Sequence, residues 1–238
     1  MTRHLVGLAQ MRGKLSNYAE RFDMVELCPV DQPLPGPKKL RNWRQQVPPA
    51  FVFSVVLPSV VASLQKGPEA DKALRASLEA ARALEARCIV LITPPSVRPT
   101  KANRKRIVEL AARLPQEGHV LAWEARGIWE PLEATETAYE AGLLPIFDAT
   151  QFDLPRGPIA YTRIKTLGFN NKLSAGHIDV IAAQIEGRQE AYIVVQGAGG
   201  GKLRSVLKTS LERARQDGSA IPTLFRPDAS LLADDEEQ

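Results

Sequence analysis

The chain has 238 residues, of which 44% are hydrophobic and 24% charged, which is the composition of an ordinary globular protein. No run approaches the roughly 18–20 apolar residues of a membrane helix, and the first residues lack the apolar core of a secretory signal, so we expect a cytoplasmic protein that does not contact membranes. Two cysteines and three scattered histidines exclude a disulfide framework and argue against a zinc site; we expect no metal and no other cofactor.

The charge is unevenly distributed. The net charge is +4, but residues 226–238 hold one arginine and five acidic residues, so that segment carries −4 and residues 1–225 carry +8. A modest positive field favours anionic ligands. We therefore expect a small anionic molecule as the partner, in preference to a nucleic acid; nothing in the sequence indicates the oligomeric state.

Short apolar runs alternate with helical patterns along the whole chain. The predicted strands are 4–9, 23–28, 51–56, 88–93, 119–125, 143–148, 159–164 and 191–196. The predicted helices lie near 15–21, 37–46, 69–86, 100–113, 131–141, 174–184 and 202–215. Pro68 and Thr100 are residues typical of helix starts. The link 149–158, between the sixth and seventh strands, is too short for a full helix.

Eight strands separated by helices predict one parallel sheet, because parallel neighbours need long crossover connections. We therefore predict an α/β fold, a single (β/α)8 TIM-type barrel with one short or missing helix between strands six and seven. The alternative is an open doubly wound sheet, but the first strand is not followed by the expected G-x-G-x-x-G turn. The barrel is predicted to span residues 1–216, and 217–238 to be an acidic, flexible tail.

Several segments then resemble a known family. They are LSNYAERFDMVEL, LRNWRQQVPPAFVFSVVLP, ITPPSVRPTKANRKRIVELAARLP, WEARGIW, AYTRIK and AYIVVQG, in this order. Together they resemble the YecE-like family, also called domain of unknown function 72, whose members look like TIM barrels. The resemblance spans about residues 4–215 and implies the same barrel fold. The activity of that family is itself obscure, so the resemblance implies no particular reaction.

The chain departs from the family pattern around the expected site. Leu27 and Cys28 follow Glu26, where the family usually has Asn-Ser. Lys165 stands in place of a family histidine, and Gly127 follows Arg126 where histidine is usual. Gln196 and Gly197 replace a pair of asparagines. The resemblance therefore implies a partly changed pocket.

Alternation along the strands places a set of polar side chains on the inner face, at the end of the barrel where TIM-type proteins bind ligands. We predict Glu26 and Glu124 as catalytic residues, and the ligand-binding residues as Arg126, Asp148, Tyr161, Arg163, Lys165 and Gln196. Close opposite charges of this kind shift pKa values enough for acid–base chemistry. The alternative is that the same charges only neutralise one another, with Asp148 as the anion for Arg163 and Lys165.

Glycines follow the eighth predicted strand. The segment QGAGGGKLRS places Gly199 and Gly200 ahead of Lys202 at a predicted helix start, where free backbone N–H groups hold phosphate or carboxylate groups. TIM barrels often bind phosphate at this position. We therefore add Gly199, Gly200 and Lys202 to the predicted ligand-binding residues, with a merely flexible loop as the alternative.

Three functions remain open from the sequence. The first is a divergent YecE-like barrel that binds a small anionic or phosphorylated ligand and, if it is an enzyme, uses metal-independent acid–base chemistry. The second is a non-catalytic scaffold or binding protein on a degenerate barrel. The third is phosphodiester or nucleic-acid processing, which the shortage of histidines opposes. The sequence does not decide whether the protein is an enzyme.

Overall fold

The computed structural model describes residues 3–11, 13–28, 34–165, 174–196, 204–207 and 209. Within these residues the strands are β1 (Arg3–Leu8), β2 (Met24–Leu27), β3 (Val52–Val56), β4 (Cys88–Thr93), β5 (Val120–Ala125), β6 (Leu144–Pro145), β7 (Ile159–Lys165) and β8 (Glu190–Gln196). The helices are α1 (Leu15–Arg21), α2 (Pro37–Gln45), α3 (Ser59–Ala62), α4 (Pro68–Leu84), α5 (Lys101–Ala111), α6 (Pro131–Glu140) and α7 (Ala175–Ile185).

The strands form one parallel sheet that closes almost completely on itself. Their order is β6-β5-β4-β3-β2-β1-β8-β7, and every neighbouring pair is parallel. A single bridge between Phe147 and Thr162 joins the two ends of the sheet. The predicted TIM-type barrel is therefore confirmed.

The two faces of the strands feed two separate apolar cores. Side chains such as Met24, Val90 and Tyr192 fill the bore of the barrel. Their neighbours in sequence point outward and pack against the helices, as Val25 and Leu91 do. Burying a side chain of this size contributes about 1.5–3 kcal/mol, so this double core supplies most of the stability.

Gly7 sets the distance between β1 and β2. A Cβ atom at this position would lie 2.1 Å from the carbonyl oxygen of Met24, which no real structure tolerates. Only glycine therefore allows β1 to pass this close to the strand that carries Glu26.

The connection between β6 and β7 contains no helix, as predicted. Two side chains bind this connection instead, that of Gln184 in the last turn of α7 and that of Arg188 just after the helix. Gln184 donates to the carbonyl oxygens of Ala149 and Phe152, at 2.9 and 3.2 Å, and Arg188 donates to that of Pro155 at 2.8 Å. These bonds satisfy backbone groups that a helix would have paired internally.

The sequence predictions differ from the structure in two places. The short helix α3 is absent from the predictions, because four residues are too few to show a helical period. The sixth strand is shorter than predicted, since only Leu144–Pro145 pair with β5. The predicted helix 202–215 and the tail 217–238 lie mostly or wholly outside the described residues, although 204–207 are helical. In the described part of the chain, no helix is long and apolar enough to cross a membrane.

Candidate functional site

A cavity of about 500 Å³ opens at the C-terminal ends of the strands. Its wall is largely apolar, formed by Leu8, Ala9, Val56, Leu57, Ala62, Ile92, Pro94, Pro95 and Val195. The polar and charged residues of the wall are Gln10, Cys28, Ser59, Arg126, Arg163 and Gln196. Volume and lining fall in the range of small-molecule sites, which is roughly 300–1,000 Å³.

Glu26 lies beneath this cavity and is completely buried. It follows Met24 by two residues on β2, so alternation turns both side chains into the bore. One carboxylate oxygen, Oε1, accepts hydrogen bonds from Nε of Arg163 at 3.1 Å and from Nη2 at 2.9 Å. The other, Oε2, accepts from the hydroxyl of Tyr161 at 2.8 Å. The burial of this carboxylate is therefore fully compensated.

Glu124 connects two guanidinium groups. Its Oε2 accepts a hydrogen bond from Nη1 of Arg163, and its Oε1 accepts one from Nε of Arg126 at 3.1 Å. The Arg163 side chain is 5% exposed, whereas that of Arg126 is 41% exposed. Arg163 is thus a fixed cation in the floor of the cavity, and Arg126 is a more exposed cation at its rim. We call Glu26, Glu124, Arg126 and Arg163 the ionic cluster.

Two members of the ionic cluster, Glu124 and Arg163, stay charged despite their burial. Burial pushes the pKa of Glu124 upward, but the charges of Arg163 and Arg126 and their hydrogen bonds outweigh it and hold that pKa below its ordinary value. Burial likewise favours the neutral form of Arg163, but attraction by Glu26 and Glu124 outweighs it and raises the pKa. Glu124 and Arg163 are therefore both ionised at neutral pH.

Tyr161 and Ser54 extend the hydrogen-bond network into the bore. The two hydroxyl oxygens are 2.9 Å apart, and Tyr161 in turn donates to Glu26. Burial first, and then the negative charge of Glu26, raise the pKa of Tyr161 well above its usual value, so its hydroxyl keeps its proton. Ser54 is not among the predicted site residues, although it is the single polar residue in the apolar run FVFSVV, a pattern that indicates a polar contact inside the barrel.

Asp148 and Lys165 lie outside the wall of the cavity. Asp148 is buried and accepts hydrogen bonds from the backbone N–H and the hydroxyl of Thr150, at 3.0 and 2.6 Å. It also accepts from the backbone N–H of Lys165 at 2.9 Å, while the Lys165 side chain is exposed. Asp148 therefore holds the loop after β6 against the end of β7, and it is not the anion that neutralises Arg163.

The structure thus divides the predicted site residues into four groups. Arg126, Arg163 and Gln196 line the cavity, and Glu26, Glu124 and Tyr161 lie directly beneath it. Asp148 and Lys165 lie beside it. Gly199, Gly200 and Lys202 lie outside the described residues.

Gly127 brings the rim arginine close to the loop after β4. Its φ is +96°, and a Cβ atom there would lie 2.9 Å from Cα of Pro95. The backbone next to Arg126 therefore contacts Pro95, one of the wall residues, directly. Among the described residues, no group of three or more His, Cys, Asp or Glu side chains is placed to hold a metal ion.

Fold and site together define an α/β protein of the TIM-barrel type, with an ionic cluster beneath a largely apolar cavity at the mouth of the barrel. The model of the family described as "Protein of unknown function DUF72" matches residues 6–135, more than half of the chain. The chain belongs to the DUF72 family, as its resemblance to the YecE-like pattern predicted. No curated protein matches the sequence.

Solved structures support the same fold at low sequence identity. A DUF72 family protein from Enterococcus faecalis V583 is 14% identical, with a TM-score of 0.68 over 88% of this chain and 95% of that one. A DUF72 family protein from Thermotoga maritima MSB8 is 17% identical, with a TM-score of 0.63 over 88% and 99%. A D-tagatose 3-epimerase-like protein is 16% identical, with a TM-score of 0.63 over 90% and 100%. These similarities concern the fold alone.

Proposed function

We propose that this DUF72 barrel binds a small anionic molecule in the cavity at its mouth. The proposal rests on the terminal nitrogens of Arg126. Its Nε donates to Glu124, but its two terminal nitrogens, with four N–H groups, make no hydrogen bond to any described residue. Arg126 lines the cavity, and a guanidinium edge of this kind binds carboxylate or phosphate oxygens in pairs.

Arg163 supports the same proposal as a fixed second cation. All three of its nitrogens already donate to Glu26 or Glu124, which prevents the side chain from changing rotamer. The terminal nitrogens each keep one further N–H, and the residue lines the cavity. In this proposal Glu26 and Tyr161 position Arg163, and they do not contact the ligand.

The remaining predicted residues would extend the site. Gln196 lines the cavity and supplies an amide for a second polar group of the ligand. Lys165 ends β7 at the same end of the barrel, and Gly199, Gly200 and Lys202 follow β8 in the sequence. A phosphorylated ligand would use the segment with these glycines most directly, because glycine-rich turns expose backbone N–H groups.

A non-catalytic binding protein is the second candidate, and one observation favours it. Glu124 already has two guanidinium partners, which hold its pKa below the ordinary value and make it a weak base. Of the two carboxylates in the ionic cluster, Glu124 is the better candidate for a catalytic base, since its side chain is 9% exposed whereas that of Glu26 is completely buried. Substrate turnover lost in Glu124→Gln, with ligand binding retained, would identify an enzyme.

The test of binding compares two arginine variants. The purified protein is heated with and without acetate, inorganic phosphate, sugar phosphates and nucleotides, because a ligand that binds only the folded state raises the Tm. We expect at least one anion to raise the Tm of the wild type and of Arg41→Ala, a control on the exposed side of α2, but not of Arg126→Ala. An equal rise in all three proteins would contradict the proposal.

A further inference from the structure

We infer that the ligand is a monocarboxylate with an apolar body, in preference to a phosphate ester. This inference rests on the proposed function, since it names the class of anion that the same cavity selects. It comes from three features of the described residues: the charge balance of the ionic cluster, the number of N–H groups that the cluster presents, and the apolar part of the cavity wall.

The first feature is charge balance. The ionic cluster contains two carboxylates and two guanidinium groups, so its charges sum to zero. The carboxylate of Glu124 is hydrogen-bonded to both guanidinium groups and offsets part of their attraction for a ligand. The remaining attraction grows in proportion to the charge of the ligand, whereas the Born cost of removing that charge from water grows with its square. A phosphate monoester carries close to two negative charges at pH 7, so this neutral cluster compensates its desolvation less well than that of a carboxylate.

The second feature is the number of available donors. Arg126 presents its terminal edge to the cavity, and Arg163 has one remaining N–H on each terminal nitrogen. Two oxygens in a plane satisfy the edge of Arg126 in a bidentate pair. A carboxylate has two oxygens and is satisfied by this edge alone, whereas a phosphate ester brings a third oxygen that also needs an N–H group of the buried Arg163.

The third feature is the apolar part of the cavity wall. Val56, Ile92 and Val195 come from three strands and present only hydrocarbon, and Leu57 and Pro94 continue the same surface. A ligand that filled this space with hydroxyl groups would leave them without partners, at a cost of about 1–3 kcal/mol for each group. An alkyl or aromatic body loses nothing there and gains about 25 cal/mol for each Å² of apolar surface that it buries.

The experiment uses four probes that separate charge from body. Phenylacetate carries both features, 2-phenylethanol lacks the charge, acetate lacks the ring, and phenyl phosphate carries the larger charge. Dissociation constants are measured by calorimetry and ligand-observed NMR at one pH near neutrality and one ionic strength. We expect phenylacetate to bind about tenfold more tightly than each of the other three, since one charged hydrogen-bond pair is worth that factor.

Two variants locate the binding. Arg126→Ala is expected to reduce the affinity for phenylacetate about tenfold, to the level of 2-phenylethanol. Val56→Ala, which removes apolar wall from β3, a strand that holds no member of the ionic cluster, is expected to weaken phenylacetate and leave acetate unchanged. Circular dichroism melts of both variants confirm that they are folded.

The outcomes separate the ligand class from the proposed function. If phenyl phosphate binds as tightly as phenylacetate and depends on Arg126, the monocarboxylate inference is wrong and the anion site stands. If no carboxylate binds but inorganic phosphate binds through Arg126, the monocarboxylate inference is again wrong and the anion site stands. If Arg126→Ala changes the affinity of no anion, both the inference and the proposed function are wrong.

Discussion

Arg163 donates two hydrogen bonds to a single oxygen of Glu26, from Nε at 3.1 Å and from Nη2 at 2.9 Å, inside a barrel where these side chains are 5% and 0% exposed. A pair this deeply buried adds little net stability while it is intact, because desolvation offsets the attraction. It becomes costly when one partner is removed. The pair therefore makes Arg163 a residue whose loss affects folding and binding together.

The first prediction concerns this pair. Arg163→Met leaves the carboxylate of Glu26 buried without its cation, so we expect the free energy of unfolding to fall by about 3–5 kcal/mol. Urea denaturation followed by circular dichroism measures the change. The double variant Glu26→Gln with Arg163→Met removes both charges and is expected to recover more than half of the loss. A double variant as unstable as the single one would show that packing, and not charge, is what Arg163 contributes.

The second prediction concerns the glycine beside the rim arginine. Gly127→Ala places a Cβ atom 2.9 Å from Cα of Pro95, at a backbone φ of +96°. Gly118 is a matched control, because its φ is +77° and a Cβ atom there meets nothing within 4 Å. We expect Gly118→Ala to lose about 1 kcal/mol through backbone strain alone, and Gly127→Ala to lose more. Equal losses of unfolding free energy in the two variants, measured by urea denaturation, would mean that the loop after β4 moves away from the new Cβ atom without loss of stability.

The third prediction follows from the lowered pKa of Glu124. Because its folded pKa lies below its unfolded value of about 4.3, its stabilising contribution is complete above that pH and is lost as the pH falls through the folded pKa. The difference in unfolding free energy between wild type and Glu124→Gln should therefore shrink as the pH is lowered from about 6 to about 3. Glu79→Gln, on the exposed side of α4, is the control and should show a much smaller effect. A constant difference for Glu124→Gln would argue against the ion pairs.

The fourth prediction uses the two cysteines as probes. Cys28 is partly exposed and lines the cavity, whereas burial raises the pKa of the Cys88 thiol, which is completely enclosed in the bore. A disulfide reagent attacks thiolates, so we expect one thiol to react in the folded protein and two after denaturation. Cys28→Ser should abolish the native reaction. Two thiols that react rapidly in the native protein would contradict the placement of Cys88.

Strand parity was sufficient to predict the inner face of the barrel. The alternation along β5 and β7 correctly places Glu124, Tyr161 and Arg163 inside, since every second residue of a strand faces the bore. Strand parity does not give the height of a residue along the barrel axis. Lys165 shares the parity of Arg163, but it forms the last pair of β7 with β8, at the end of the strand, and is exposed.

The partners within the site were harder to predict than its members. The sequence suggested Asp148 as the anion for Arg163, because they lie on neighbouring strands. In the structure Asp148 is taken by the loop that replaces a helix after β6, and Glu26 reaches Arg163 across the bore. Contacts of this kind link residues more than a hundred positions apart, and their geometry depends on the stagger of the closed sheet.

The barrel closes between β6 and β7 through the backbone bridge of Phe147 to Thr162 and through the side chain of Thr162. The hydroxyl of Thr162 donates to the carbonyl oxygen of Phe147 at 2.8 Å and accepts from the backbone N–H of Ala149 at 3.1 Å. Elsewhere in the ring a ladder of backbone bonds does this work, as between β1 and β8. Amide protons beside Thr162 should therefore exchange with solvent through a local opening of the ring, while those of β1 and β8 exchange only when the whole chain unfolds. Arg163 follows Thr162 directly and bonds to Glu124 on β5, so the ionic cluster also connects the two sides of this join. A ligand in the cavity should therefore slow the exchange of amide protons beside Thr162, although it does not contact that residue.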